Sequence, residues 1–433
     1  MKRFIFFAFY LIPFWGTAQQ ELTLEEAVAI ALENNYDIRL VSKDVAIAAN
    51  NVAIGNAGML PSLSADVSSA AGIQNTTQTL LSGETRAVRG NRTSSSAYGA
   101  SLDWTIFDGL QMFTRYEQLK QLKALGDANL KAAILSTVYD VVSSYFDLVQ
   151  QHQLISATQT ALDLSAFRYQ TAENRYQIGR ASKLEVLAAS VDLNTDTTNL
   201  LRQRDQYRST QIRLNELLAR DVNTAFSVAD TIIIGNDLHY EVLSQQAKEL
   251  NPTLQSAIIS HRIAELELKR VKGERYPAVS LSSAYTRSQS RTELGFSTRS
   301  KNNGFSYGIS ASMNLFNGFQ QRRNERNAQF TMEAAEIAVD QVKQNIEAQL
   351  LAAYQTYLMN LELVRLEERN KEIAKQNMDI TLEKFKLGSI APLEFREAQR
   401  NFVDASARFS TAQYQAKLAE ITLNQIAGTL KMK

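Results

Sequence analysis

The 433 residues contain no cysteine. That absence removes disulfide frameworks, thiolate metal sites, cysteine nucleophiles and a cysteine-linked lipid anchor. Histidine is almost as scarce, and His152, His239 and His261 are too scattered to form a metal cluster. No redox or zinc chemistry is expected, and no cofactor. An excess of charge of one sign is missing too: 46 Lys+Arg stand against 45 Asp+Glu. This balance argues against nucleic acid as a partner, which would call for a net basic surface. With 5 prolines and 18 glycines, well below average usage, long uninterrupted elements should dominate. No apolar run reaches the ~20 residues that a membrane-spanning helix requires.

What the chain does have begins with a processing signal. Lys2 and Arg3 precede the apolar run 4–15, and Gly16-Thr17-Ala18 supplies the small residues that a signal peptidase reads. Residues 1–18 are expected to be a secretory signal peptide, so the chain is exported without a transmembrane helix.

The sequence also contains itself twice. Trp104-Thr105-Ile106-Phe107-Asp108-Gly109 is answered by Met313-Asn314-Leu315-Phe316-Asn317-Gly318, an offset of 209 residues. Tyr176-Gln177-Ile178-Gly179 and Phe385-Lys386-Leu387-Gly388 keep that offset, as do Leu214-Asn215-Glu216-Leu217 and Leu423-Asn424-Gln425-Ile426. Leu60-Pro61-Ser62-Leu63 pairs with Tyr276-Pro277-Ala278-Val279 at 216. The first copy therefore holds seven extra residues between its proline and its Phe-Asx-Gly, expected in a tolerant loop.

Each copy, 19–220 and 238–428, reads as helix, strand, polar loop, strand, long helix, tight turn, helix. The pattern predicts helices over 22–60, 109–178 and 182–220 in the first copy and over 238–275, 318–387 and 392–428 in the second. Residues 221–237 read as a short equatorial connector and 429–433 as a tail. In the long helices Val138, Val141, Tyr145, Leu148, His152 and Ile155 alternate spacings of three and four, the 3.5-residue period of a coiled coil. His152 is expected to pack on that seam. Gly179 and Gly388 suit left-handed helix caps. Ser182 through Glu185 fits a capping box, and Pro392 suits a first helical position.

Strands are expected at about 62–72, 97–107, 278–287 and 305–316, with long polar loops over 73–96 and 288–304. In 98–107 the even positions Tyr98, Ala100, Leu102, Trp104 and Ile106 are apolar, and their neighbours small or polar. Such alternation gives one apolar and one wet face. In an exported chain the apolar face can meet lipid and the wet face line a pore, with Trp104 in an interfacial aromatic belt. A soluble sheet packed on the helices is the alternative. Four strands cannot close a barrel, and an open edge in lipid leaves backbone groups unsatisfied, so a membrane form must borrow strands from other copies.

These duplicated hairpins, with their Leu-Pro strand starts, Phe-Asp-Gly and Phe-Asn-Gly exits and Tyr-Gln-Ile-Gly and Phe-Lys-Leu-Gly tips, closely resemble the TolC family of outer-membrane efflux and secretion channels. The resemblance covers residues 21–428. It implies a mostly α fold with a membrane β-barrel: a homotrimer whose twelve strands form one shared barrel in outer-membrane lipid, continued by a periplasmic α-barrel tunnel. It also implies a Gram-negative outer-membrane location, a periplasmic adaptor (membrane fusion) protein docking at the hairpin tips, and an inner-membrane pump of the RND or ABC type.

By position after the tip glycines, Glu394 and Glu397 match the family's acidic pair at the periplasmic constriction, and Glu185 matches the acidic residue of the first tip. Around a threefold axis they would ring the pore with negative charge and favour cations. Glu185 and Glu394 can equally be plain helix-start carboxylates. Gly179, Gly388, Arg180 and Lys386 are the tip residues that an adaptor would meet. Where known members carry a basic residue that latches the closed tip, this chain has Ile390; Arg180, Lys183, Lys386 and Arg396 are the candidate substitutes. A soluble periplasmic coiled-coil spacer is the alternative function. An enzyme using Glu394 and Glu397 as an acid/base pair lacks any accompanying nucleophile or phosphate loop.

Overall fold

The computed structural model describes residues 21–235, 237–293 and 297–430; the expected signal peptide and residues 431–433 of the tail lie outside the described residues. Twelve elements follow in order: α1 (Leu24–Asn34), α2 (Tyr36–Asn51), β1 (Ser62–Thr79), β2 (Thr85–Asp108), α3 (Gln111–Gln177), α4 (Lys183–Leu217), α5 (Tyr240–Leu250), α6 (Pro252–Gly273), β3 (Ala278–Thr292), β4 (Arg299–Ser312), α7 (Gln320–Lys386) and α8 (Pro392–Ala427). The second six repeat the first six. The chain divides into two compact units. One contains Leu130–Pro252 with the residues before Lys43 and after Val342; the other is Lys43–Asn129 with Thr253–Val342.

In the first unit, the helices pack along the seam set by the 3.5-residue period. Val138, Val141, Tyr145 and Leu148 of α3 are buried, joined by Ala27, Val28 and Ala31 of α1 and by Leu214 of α4. The connector is part of this core: Phe226, Val228 and Ile232 are buried in it, and Leu22 N–H donates to the Ser227 carbonyl at 2.9 Å. His152 departs from the expectation. Its ring is 45% exposed and its Nδ1 meets the Asp230 carboxylate, because the connector passes there and offers a polar partner.

The spans 22–60 and 238–275 are each broken into two helices, a correction to the single helices expected. Asn35 terminates α1 with ψ 131°. Its Oδ1 accepts from the N–H of Asp37 at 2.9 Å and of Ile38 at 3.2 Å, and its Nδ2 donates to Leu217 O at 2.9 Å. Asn251 occupies the same place in the second repeat, donating to Ile426 O at 2.9 Å. Pro252 follows it and holds the preceding residue out of the helical region. Tyr145 and Tyr354, 209 residues apart, repeat another bond: their hydroxyls donate to Leu22 O at 3.1 Å and to Leu238 O at 3.4 Å.

Tyr357 is 1% exposed and its hydroxyl donates to Gly235 O. Burial, then Glu420, Tyr354 and Asp237, push its phenol up to about 12. A proton held more tightly in the fold than in the unfolded chain stabilises the fold fully below pH 10. That contribution is lost as pH rises toward 12, on the order of 1–2 kcal/mol. Thermal melts at pH 9 and 11.5 should therefore show a smaller alkaline loss in Tyr357→Phe than in the parent; an equal loss counts against this assignment.

In the second unit, the four strands form one antiparallel sheet in the order β1-β2-β3-β4. Register fixes the faces. Leu63 pairs with Leu102 and Val67 with Tyr98; Trp104 pairs with Leu281, which pairs with Ile309; Tyr285 pairs with Phe305. Residues directly opposite share a face, so these side chains make one broad apolar surface. The other face carries Ser64, Ser101 and Ser306, with Asp66, Gly99 and Thr286 beside them. Both faces of β1 and β4 are exposed, with Val67 at 86% and Tyr307 at 81%. A patch of this kind is foreign to a monomer in water. The edges β1 and β4 are open.

The segments 73–96 and 288–304, expected as loops, are mostly strand: β1 and β2 are joined only by residues 80–84, and pairing runs from Thr79–Thr85 back to Ser62–Asp103. The seven additional residues lengthen the first hairpin instead of a loop. Strands 305–316 and helix 318–387 shift as well, since β4 closes at Ser312 and α7 opens at Gln320.

The Phe-Asx-Gly motif is the corner between strand and long helix. Gly109 and Leu110 have φ of 72° and 66°, and Gly318 and Phe319 both 63°. Two successive left-handed residues reverse the chain. The Asx side chain then caps the helix: Asp108 Oδ1 accepts from Met112 N at 3.1 Å, and Asn317 Oδ1 from Gln321 N at 3.3 Å.

Candidate functional site at the hairpin tips

Both tips turn on a glycine because the chain must enter the left-handed region to leave a helix and start another at once. Gly179 has φ 75° and Gly388 φ 69°. Arg180 N–H donates to Arg175 O at 2.7 Å and Ser389 N–H to Lys384 O at 3.0 Å, the six-to-one bond of a Schellman cap. At the first tip Ser182 is the helix N-cap, its Oγ accepting from Glu185 N at 3.3 Å. The reciprocal half of the capping box is absent. The Glu185 carboxylate instead lies 3.8 Å from the Arg175 guanidinium, across the tip on α3. At the second tip Ala391 is the N-cap and gives no side-chain bond, and Pro392 opens α8.

Glu394 and Glu397 stand exposed on the first turns of α8, three residues apart and so on one face. Glu397 accepts from Arg400 at 3.0 Å. Beneath them Phe395, fully buried, stacks on Phe385 at 5.1 Å, and Phe167 of α3 meets the Phe385 edge at 6.4 Å. This aromatic wedge fixes where the carboxylates project. Trp104 belongs to the sheet: it is 38% exposed on the apolar face and donates its indole N–H to Met59 O at 3.0 Å.

The four basic candidates separate clearly. Lys386 pairs with Glu383 one turn away at 2.7 Å; Lys183 lies over the Tyr176 ring at 5.1 Å; Arg180 is exposed on the turn. Arg396 alone of the four reaches from α8 to α4, placing Nη2 2.8 Å from Asp192 Oδ1. The other oxygen of Asp192 meets Arg168 of α3 at 3.3 Å, and both of these side chains are at most 10% exposed. Gln399 of α8 donates to Ala161 O at 2.7 Å and to Ser165 Oγ at 3.0 Å, while Ser165 bonds Asp196. Burial pushes the Arg168 guanidinium below its ordinary range, and Asp192 and Asp196 draw it back up. Three helices are thus fastened by one buried polar cluster.

Arg168, Asp192 and Gln399 did not stand out in the sequence, although a signal existed. Ala161, Ser165, Arg168 and Ala172 are buried at steps of four, three and four, so a charge occupies a core position of the seam. On α4, Val186, Ala189 and Asp192 are buried at steps of three, again with a charge among small and apolar residues.

The wider similarity agrees with this geometry. A family model described as outer membrane efflux protein matches residues 27–220 and 243–429. The alkaline protease secretion protein AprF of Pseudomonas aeruginosa is 22% identical over 94% of this chain and 85% of its own length. The outer membrane efflux protein BepC of Brucella suis is 20% identical over 96% and 87%. Among solved structures, the Campylobacter jejuni CmeC outer membrane channel superposes with a TM-score of 0.80 at 16% identity, covering 94% of this chain and 86% of its own. The soluble-spacer alternative is set aside by these matches. With its tandem hairpins and its exposed amphipathic sheet, the chain belongs to the outer membrane efflux protein family, export channels of the Gram-negative outer membrane.

Proposed function

We propose that three copies assemble into one export duct, β1 of each closing against β4 of the next, with Glu185, Glu394 and Glu397 lining the narrow periplasmic end. The observation that carries this reading is the four-stranded sheet with an apolar face and two open edges, which only added strands can satisfy in lipid. Unpartnered seams on the helices support the same assembly. Leu184, Leu187, Val191 and Leu201 are exposed along α4, and Leu351, Leu358, Leu366, Ile373 and Ile380 along α7 at steps of seven or eight residues. Such seams suit knobs-into-holes packing against another copy.

The channel does no chemistry; an energised inner-membrane pump, RND or ABC, would drive transport through a periplasmic adaptor protein. The adaptor's docking ground would be the two glycine tips with Arg180 and Lys386, which are exposed. The secretion role in the name of AprF and the efflux role in that of BepC are both compatible with one wide duct.

Planar-bilayer recording of the purified protein tests the duct and its charged end together. The parent should conduct with a preference for cations. Glu394→Gln with Glu397→Gln should lower the cation-to-anion permeability ratio severalfold, because neutralising rings of carboxylate removes the field that concentrates cations. A protein that never conducts overturns the duct, and an unchanged ratio removes the acidic residues from the constriction.

A further inference from the structure

Beyond the apolar band, the same sheet face turns basic. Every junction with a helix lies at one end of the sheet, since β1 and β3 start there and β2 and β4 finish there; the hairpin turns lie at the other. Between 73–93 and 287–303 the chain carries seven Arg or Lys and only two carboxylates, Glu84 and Glu293. Glu84 is taken by Arg86 at 3.1 Å, and Glu293 accepts from the backbone N–H of Arg92 at 3.4 Å.

Register places five of the cations on the apolar side. Arg92 pairs with Ile73, Arg287 with Tyr98, Arg291 with Ser94 and Arg299, and Lys301 with Gln289. All five are exposed. Arg287 follows Leu281 by six residues, about 20 Å along the strand, one step past the cross-strand partners Tyr285 and Phe305. A charge on a lipid-facing strand is tolerated only near the interface, so on the lipid-facing reading these residues mark the outer edge of the apolar band. Arg291 and Arg299 are directly opposed, an arrangement that costs stability unless an anion sits between them.

We propose that this belt is a binding surface for the phosphorylated disaccharide headgroups of outer-leaflet glycolipid, with the acyl chains lying on Val67, Tyr98, Leu102, Tyr285 and Tyr307. The belt rests on the reading of the apolar face as the lipid-facing side of a barrel whose hairpin turns point outward. Guanidinium groups suit the partner because they grip phosphate through paired N–H donors. The apolar face below and the cations above match the two halves of such a lipid.

The test uses protein expressed from residue 19 and reconstituted in phosphatidylcholine nanodiscs with hexa-acylated, bis-phosphorylated disaccharide lipid. Glycolipid retained per oligomer is counted by native mass spectrometry. The parent should retain the phosphorylated lipid at least tenfold better than its dephosphorylated form, an arm that needs no variant. Combined Arg287→Gln, Arg291→Gln, Arg299→Gln and Lys301→Gln should lose that preference, while Arg→Lys at the three arginines, which keeps the charge but not the paired N–H donors, should keep only part of it. Equal retention of both lipids by the parent, or an undiminished preference in the Gln variant, overturns the belt. Quenching of Trp104 by brominated acyl chains separates the two ideas: the chain has two tryptophans, the other, Trp15, being outside the expressed protein. Quenching without phosphate preference rejects the belt alone, and absence of quenching rejects the lipid-facing assignment beneath it.

Discussion

Replacing Asp192 by alanine is expected to destabilise the tips by about 3–5 kcal/mol, the range for stripping one partner from a buried ion pair. The two oxygens of Asp192 serve different helices, one holding Arg168 of α3 at 3.3 Å and the other Arg396 of α8 at 2.8 Å. The two arginines are not equivalent. The Arg168 side chain is 6% exposed and would keep only Ser165, at 3.2 Å, and the nearby charge of Asp196, with its Nε already lacking a partner. The Arg396 side chain is 54% exposed and can return to water. Arg396→Ala should therefore cost no more than about 1 kcal/mol. The pair of variants also separates stability from gating. Both remove the Arg396 link between α8 and α4, so both should raise the basal current in bilayer recordings, but only Asp192→Ala should show the large fall in denaturation midpoint. A midpoint for Asp192→Ala within experimental error of the parent would falsify the clasp. At the second tip Ile390 offers no cation, and the nearest one that crosses to α4 is Arg396, 2.8 Å from Asp192.

The parts of this fold that were readable from sequence are those that a single chain dictates locally. Two copies at an offset of 209 residues, glycine at each tip and the 3.5-residue period of Val138 through Leu148 come from backbone and packing rules that act within one element. Strand limits were less legible for a physical reason. Alternation reports a difference between two faces, and past Ile73 and Arg287 the strands Thr76 through Thr79 and Ser288 through Thr292 are themselves polar on both faces, so they pair with no alternating apolar signature of their own. The breaks at Asn35 and Asn251 were hidden because asparagine's role there depends on a carbonyl 182 or 175 residues away. The acidic tip residues are legible only through a resemblance of position. The buried cluster behind them depends on α3, α4 and α8 meeting, and only its odd polarity, a charge at a seam position, was visible beforehand.

The corner glycines of the two repeats should respond unequally to the same substitution. Gly109 and Gly318 share a motif and a left-handed backbone, with φ of 72° and 63°. An added Cβ at either one carries the intrinsic left-handed penalty of roughly 1–2 kcal/mol. At Gly318 nothing lies within 4 Å of that Cβ, so the penalty is the whole cost. At Gly109 it would stand 2.2 Å from the Gly273 carbonyl oxygen and 2.9 Å from the Tyr276 Cβ. Neither neighbour is the end of a flexible side chain. Gly273 cannot retreat freely either, since its own missing Cβ is matched by Gln111 at 2.6 Å and Gly109 O at 2.9 Å. Two glycines thus let the start of α3 and the end of α6 touch backbone to backbone, at the point where β2 leaves the sheet and β3 is about to enter it. Gly109→Ala must spread that contact and disturb the pairing of Asp108 with Ala278, the first rung between the two hairpins. The expected result is loss of assembled protein from the outer-membrane fraction for Gly109→Ala, with near-parental amounts for Gly318→Ala. Equal yields of the two variants, at matched expression, would show that the close approach at Gly273 does not control how the sheet is joined.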